Sequence, residues 1–144
     1  MSPEKQITAG QRKEMVAAIR EAEQGTSGEI RVHIAGHCKE NILDGASRTF
    51  ARLKMHKTAL RNGVLIYVAL QDRQLAIIGD AGINSTVPAG FWDGIKEQMV
   101  EQFRQGRVSE GICEAIRRVG EQLKIHFPRG EEDKNELPDE ISFG

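Results

Sequence analysis

The sequence predicts an α/β protein, an α/β/α sandwich in which helices flank a small mixed β-sheet. A run of seven apolar or aromatic residues, Val64–Leu70, is followed after a polar turn by a second apolar run, Leu75–Ile78. Short runs rich in Val, Ile and Tyr and bounded by turn formers are typical of strands covered on both faces. The short link between the two runs indicates an antiparallel β-hairpin. An alternating segment and a helical segment precede this hairpin, and together with its first strand they predict a β-α-β unit.

The first helix is predicted over residues 9–24. Thr8 and Gln11 stand three residues apart, as in a capping box, and apolar residues then recur at helical spacing. Gly25 is a suitable residue to end this helix.

The first strand is predicted immediately afterwards. Between residues 29 and 34, apolar residues alternate with Glu29, Arg31 and His33. This period of two predicts one buried face and one polar face, which would be either an exposed edge or the wall of a site.

The connection to the Val64–Leu70 strand is predicted to be helical over residues 44–57, with Asp44 as its cap. Strand-helix-strand units pair their strands in parallel and are almost always right-handed. The Leu75–Ile78 strand then adds to the sheet in the antiparallel direction.

Two further helices are predicted after the hairpin. Pro88 stands where a first helical residue is favoured, and the apolar stripe that follows ends at Gly106. Ser109 is positioned to cap the last helix, which ends near Phe127-Pro128. Residues 1–128 are therefore predicted to form a single domain.

The remaining residues, 129–144, form an acidic tail with weak periodicity. Such a tail is either mobile or docked on the domain. Its apolar residues Leu137, Ile141 and Phe143 would dock there or bind a protein partner.

The composition excludes several classes of function. A net charge of -1 gives no basic excess for binding nucleic acid, and the longest apolar run of seven residues is far too short for membrane insertion. The first residues lack the pattern of an export signal, so a cytoplasmic location is expected. Two widely separated cysteines, Cys38 and Cys113, predict free thiols.

Oxygen-bearing side chains are predicted to meet at one end of the sheet. In the predicted topology, Glu29 begins the first strand, Asn62 precedes the second and Asp80 follows the third. Three hard oxygen donors suit Ca²⁺ or Mg²⁺ rather than zinc. The alternative is structural: Glu29 pairs with Arg61, and Asp80 caps a turn.

The opposite end of the sheet offers weaker candidates. Asp72 lies in the hairpin turn and is a lesser candidate for a metal ligand. His37 and Cys38 are adjacent on a strand, so their side chains point to opposite faces and do not form a nucleophile-base pair. The chain lacks glycine-rich nucleotide motifs and the Gly-x-Ser-x-Gly elbow, so neither a catalytic residue nor an organic cofactor is predicted.

Several sequence blocks together resemble the TPM domain family. They are Ser27-Gly28-Glu29-Ile30, Arg61-Asn62-Gly63-Val64-Leu65, Asp72-Arg73, Gly79-Asp80-Ala81-Gly82-Ile83 and Phe103-Arg104-Gln105-Gly106, and the resemblance extends over about residues 8–127. It implies an α/β/α sandwich that binds divalent cations through acidic residues, here Glu29 and Asp80 with Asn62 and Asp72 as neighbours. It also implies a weak acid phosphatase activity, as in some plant members, and a protein partner associated with the cell envelope.

Two positions depart from the pattern that the resemblance implies. Arg61 stands where many members carry an acidic residue, and Asn84 stands where they carry Glu. Replacing a carboxylate by a guanidinium weakens a cation site. We therefore expect a module that binds Ca²⁺ or Mg²⁺ weakly or a protein partner. The alternative is a metal-dependent phosphatase with Glu29 and Asp80 as its ligands.

Overall fold

The structure, a computed structural model, describes residues 2–130 and 137–144. Its sheet contains strands β1 (Glu29–Ala35), β2 (Gly63–Ala69), β3 (Gln74–Gly79) and β4 (Ser142–Phe143), in the order β3-β2-β1-β4. Strand β2 lies parallel to β1 and antiparallel to β3. The predicted β-α-β unit and hairpin are therefore confirmed.

Helices cover both faces of the sheet, as an α/β/α sandwich requires. The helices are α1 (Pro3–Gln6), α2 (Ala9–Gln24), α3 (Ile42–Arg52), α4 (Ala81–Asn84), α5 (Asp93–Arg104) and α6 (Val108–His126), with a 3₁₀ turn at Met55–Lys57. One core packs α2, α5 and α6 against Ile30, Val32 and Ile34 of β1 and the matching residues of β2 and β3. A second core packs α3 against Leu65 and Tyr67 on the opposite face.

Three predicted helix starts are wrong by a few residues. Helix α3 is capped by Asn41, whose side chain accepts a hydrogen bond from the Leu43 amide at 2.9 Å, and not by Asp44. It ends at Arg52, because Lys54 takes a left-handed conformation with φ 58° before the 3₁₀ turn.

Helix α5 begins at Asp93 rather than near Pro88, and α6 begins at Val108, one residue before the predicted cap.

The polar face of β1 is buried rather than exposed. Arg31 donates to the Glu140 carbonyl at 3.4 Å, and His33 Nδ1 lies 2.9 Å from Ser142 Oγ. Strand β4 pairs in parallel with His33 and Ile34, so the end of the chain supplies the missing neighbour of β1. An exposed strand edge can pair with other chains, and β4 covers the part of the β1 edge at His33 and Ile34.

The final residues therefore lie against the domain. Leu137 and Ile141 are buried, the Gly144 amide donates to the Ile34 carbonyl at 3.1 Å, and the Arg12 guanidinium lies 4.8 Å from the centre of the Phe143 ring. The first part of the predicted tail, residues 131–136, lies outside the described residues. Among the described residues, no helix has both the length and the apolar content needed to cross a bilayer.

Candidate functional site

The structure places Glu29, Asn62 and Asp80 at the same end of the sheet, which we call the Asp80 end. The Glu29 amide donates to the Asn62 carbonyl at 3.4 Å, and the Asp80 amide donates to the Gly63 carbonyl at 2.9 Å. These bonds follow from the strand directions, since the start of a strand meets the start of its parallel neighbour and the end of its antiparallel neighbour. The topology alone was therefore enough to bring the three backbones together.

Asp80 is the best defined acidic residue of this end. Its carboxylate receives Arg61 Nε at 2.7 Å and Arg61 Nη2 at 2.8 Å, and it also caps α4 by accepting the Ala81 amide at 2.8 Å. Burial raises the pKa of the Asp80 carboxyl, but the hydrogen bonds from Arg61 and Ala81 outweigh it and hold the pKa below its usual value. Asp80 is therefore ionised and already holds a cationic group.

Arg61 is the more exposed partner of this pair. Its side chain is 49% exposed, whereas that of Asp80 is 6% exposed. Its backbone lies in the left-handed region at φ 52°, which is uncommon for a residue with a long side chain. The predicted partner of Arg61 was Glu29, but the carboxylate that Arg61 binds is Asp80. The predicted capping role of Asp80 is confirmed, since it caps α4.

Asn62 supplies a neutral oxygen donor. The residue is 1% exposed, and its side-chain Nδ2 donates to Ser27 Oγ at 3.3 Å. Its Oδ1 is buried and has no hydrogen-bond partner among the described residues. A buried acceptor left without a donor costs free energy, and a bound ion or water would remove that cost.

Glu29 belongs to a group of carboxyls that the sequence analysis missed. Its side chain interacts with that of Glu23 from α2, and Glu23 also bonds the side chain of Asp139 from the tail. Glu23 Oε2 accepts the Ile30 amide at 2.8 Å. Burial raises the pKa of the Glu23 carboxyl, and its bond to Asp139 and the nearby Glu29 charge raise it further.

A signal for Glu23 was present in the sequence. Glu23 follows Met15 and Ile19 at intervals of four residues, which places it on the buried stripe of α2. No comparable signal existed for Asp139, because its position depends on how the end of the chain packs.

Asp72, the lesser candidate, lies away from this end. It sits in the β2–β3 turn, where its carboxylate accepts the Cys38 amide at 2.5 Å and lies 2.9 Å from His37 Nδ1. The Cys38 amide and His37 hold the pKa of Asp72 below its usual value. Asp72 therefore organises the opposite end of the sheet.

The Asp80 end has the right donor chemistry for a hard cation but an incomplete set of acidic ligands. Carboxylate and amide oxygens are the donors that Ca²⁺ and Mg²⁺ prefer. Within residues 2–130 and 137–144, no three Asp, Glu, His or Cys side chains are grouped closely enough to hold a metal ion. The Arg61 guanidinium already occupies the Asp80 carboxylate.

The chain thus forms an α/β/α domain with a four-stranded mixed sheet. The sequence model of the TPM domain matches residues 2–122, and the chain belongs to the TPM domain family. No curated protein matches the chain.

Solved structures agree with this assignment. The NMR structure of the BA42 protein from the psychrophilic bacterium Bizionia argentinensis is 44% identical, with a TM-score of 0.90 over 96% of this chain and 95% of that one. The N-terminal domain of a P. gingivalis protein is 20% identical, with a TM-score of 0.68 over 83% of this chain and 78% of that one. The N-terminal domain of the cg2496 protein from Corynebacterium glutamicum is 14% identical, with a TM-score of 0.65 over 82% of this chain and 74% of that one. The last two similarities concern the fold alone.

Proposed function

We propose that this TPM domain is a weak divalent-cation-binding module whose site is the Asp80 end of the sheet. The observation that carries the proposal is Asp80 itself, a buried carboxylate kept ionised by a guanidinium that is half exposed. The half-exposed guanidinium can be solvated by water when it leaves, but the buried carboxylate then needs another cation. A hard cation would then take the place of the guanidinium.

Asn62 supports the same proposal. Its buried Oδ1 has no hydrogen-bond donor in the described part of the chain, and it belongs to the residue whose carbonyl bonds the Glu29 amide. Glu29 adds a buried carboxyl to the same end. The bound cation would supply positive charge to these oxygens, and the protein would supply their fixed spacing.

The test is an amide NMR titration of the full chain with Ca²⁺ and then Mg²⁺. Wild type should show saturable shifts near Asn62 and Asp80 at millimolar metal. Arg61→Gln should bind roughly five-fold more tightly, because the competing cation is gone, and Asp80→Asn should not bind. The proposal fails if Arg61→Gln shows no saturable shift.

Arg48→Gln is the matched control. Arg48 also holds a carboxylate with two bonds, 3.0 Å each to Glu40, but it lies on α3 away from the Asp80 end. This variant removes the same charge from the protein and should leave the cation affinity unchanged.

The alternative function is a weak metal-dependent acid phosphatase. It would use the same oxygens, since a metal at Glu29 and Asp80 would have to polarise the phosphate ester or activate water. Hydrolysis of an aryl phosphate should then require added metal and disappear in both Glu29→Ala and Asp80→Ala. Metal-dependent turnover that survives both substitutions would remove these residues from the site.

Recruitment of a protein partner through the tail is less favoured by the geometry. Leu137 and Ile141 are buried against their own domain, and Phe143 carries the Arg12 contact. A partner would have to displace all three.

A further inference from the structure

A cavity of about 520 Å³ lies at the end of the sheet opposite to Asp80, between the β2–β3 turn and the α5–α6 turn. We call it the Arg73 pocket. Its volume is in the range of small-molecule sites, roughly 300–1,000 Å³. It contains none of Glu29, Asn62 and Asp80, so its function is independent of the proposed cation site.

The interior of the Arg73 pocket is mainly apolar. The lining includes Val68, Leu75, Val100, Phe103 and Val108. Val68 and Leu75 are buried in the core, while Phe103 and Val108 are half-buried and Val100 is 36% exposed. Water in contact with Val100, Phe103 and Val108 is released when an apolar ligand covers them, which favours binding.

Two arginines give the pocket a positive rim. Arg73 from the β2–β3 turn and Arg104 from the end of α5 both line the cavity, and both are exposed. Neither forms an ion pair with an acidic side chain in the described part of the chain. Guanidinium groups bind carboxylates and phosphates through two parallel hydrogen bonds, so this rim is complementary to an anion.

Arg73 holds this position at a cost. Its backbone lies in the left-handed region at φ 54°, which Gly, Asn or Asp would adopt more easily. The turn thus carries a long cationic side chain at the one residue between β2 and β3 where the backbone is strained.

The location agrees with a general property of α/β sheets. The pocket is bordered by Val68, Ala69 and Leu70, at the carboxyl end of β2. Ligands of open α/β sheets bind outside the carboxyl ends of the parallel strands.

We propose that the Arg73 pocket binds a small amphipathic anion, with an aliphatic body on Val100 and Phe103 and a carboxylate or phosphate head between Arg73 and Arg104. The apolar interior accounts for the body and the two guanidiniums account for the head. A neutral or cationic molecule of the same shape would make the apolar contacts but would not bind the two guanidinium groups as an anion does.

The test is an amide NMR titration of the full chain with octanoate and, separately, octyl phosphate, each below its micelle concentration. Both should give saturable shifts at Val100, Phe103 and Val108, and the tighter of the two identifies the head group. Arg73→Gln and Arg104→Gln should each weaken binding about ten-fold, since each removes a charge-assisted hydrogen bond. Added salt should weaken binding in wild type.

Two controls separate the charge from the apolar contacts. Octanol should bind more weakly than octanoate, and its affinity should be the same in wild type and Arg73→Gln. Arg48→Gln, which removes an exposed arginine of α3, should leave octanoate binding unchanged.

The proposal is overturned if neither anion gives saturable shifts at the pocket, if octanol binds as tightly as octanoate, or if both arginine variants bind like wild type. Because these variants lie on the surface, their amide spectra should remain those of the folded protein. Cation binding at the Asp80 end can succeed or fail without affecting any of these outcomes.

Discussion

The guanidinium of Arg61 binds both oxygens of the Asp80 carboxylate, with Nε 2.7 Å from Oδ2 and Nη2 2.8 Å from Oδ1. Arg61 lies two residues before β2 and Asp80 directly follows β3, and the Asp80 amide donates to the Gly63 carbonyl at 2.9 Å. Asp80 is buried while Arg61 is half exposed, so the carboxylate depends on a partner that solvent can reach.

A double-mutant cycle measures this dependence. Arg61→Gln should lower the free energy of unfolding by about 1–2 kcal/mol, since it leaves a buried carboxylate without its cation. Asp80→Asn keeps an oxygen to cap α4, and the double variant should recover a coupling of about 1 kcal/mol in urea denaturation. The exposed pair Arg48–Glu40 is the control, with a coupling of about 0.5 kcal/mol or less. Equal coupling energies for Arg61–Asp80 and Arg48–Glu40 would show that the buried Asp80 carboxylate does not depend on Arg61 for its stability.

Strands β1, β2 and β3 could be predicted from the sequence because their signals are local. The apolar runs of β2 and β3 and the alternation of β1 fix strand type, and chain order fixes the directions. Those directions placed Glu29, Asn62 and Asp80 at one end without any contact being known.

What the sequence analysis missed depends on distant packing. His33 is buried because Ser142 lies beside it, and the two are separated by 109 residues. Asp139 reaches Glu23 for the same reason, and no periodicity in either segment predicts the meeting. The pairing of Arg61 with Asp80 also needs the left-handed backbone of Arg61, which its residue type does not indicate.

Two glycines in helices should respond in opposite ways to alanine. At Gly82 a Cβ would overlap the Leu60 carbonyl oxygen and lie 2.6 Å from that of Arg61. The close approach is what allows the Gly82 amide to bond the Arg61 carbonyl at 2.7 Å. Gly82→Ala should therefore lower the free energy of unfolding by about 2–3 kcal/mol.

Gly94 is the matched control, since a Cβ there meets no atom within 4 Å. Gly94→Ala should stabilise α5 by about 0.5–1 kcal/mol, because alanine loses less backbone entropy in a helix. Urea denaturation of both variants checks the pair. A Gly82→Ala variant as stable as wild type would mean that α4 does not pack on the Leu60–Arg61 backbone.

Glu23→Gln should stabilise the protein above neutral pH. Burial and the neighbouring Asp139 and Glu29 raise the Glu23 pKa above its ordinary value of 4.5. The folded state then binds a proton that the unfolded state has lost. The stability from this group is complete below about pH 4.5 and decreases as the pH rises towards the folded pKa. Glutamine imitates the protonated form, accepting from the Ile30 amide and donating to a carboxylate.

Thermal denaturation of wild type and Glu23→Gln across the pH range measures this effect. The advantage of the variant should be large at pH 8 and small at pH 5. A constant difference at all pH values would show that Glu23 is ionised in the folded state. The basic groups near this cluster are Arg20, paired with Asp139 at 3.6 Å, and Arg129, which donates to the Glu23 carbonyl.

His33 should act in the opposite direction and report on the docked tail. Burial lowers its pKa to about 4, and the charges of Arg52 and Arg31 contribute further. The unfolded state therefore binds a proton first, and stability falls by up to about 3 kcal/mol as the pH drops from 6.5 to 4. Because Glu23 opposes this change, the loss should be clearest in the Glu23→Gln background.

Deleting residues 141–144 removes β4 and its contact with His33, so the His33 midpoint in a histidine NMR titration should rise towards about 6.5. A midpoint that stays near 4 in the truncated chain would assign the shift to Arg52, Arg31 and the stacked Tyr67 ring instead of the tail.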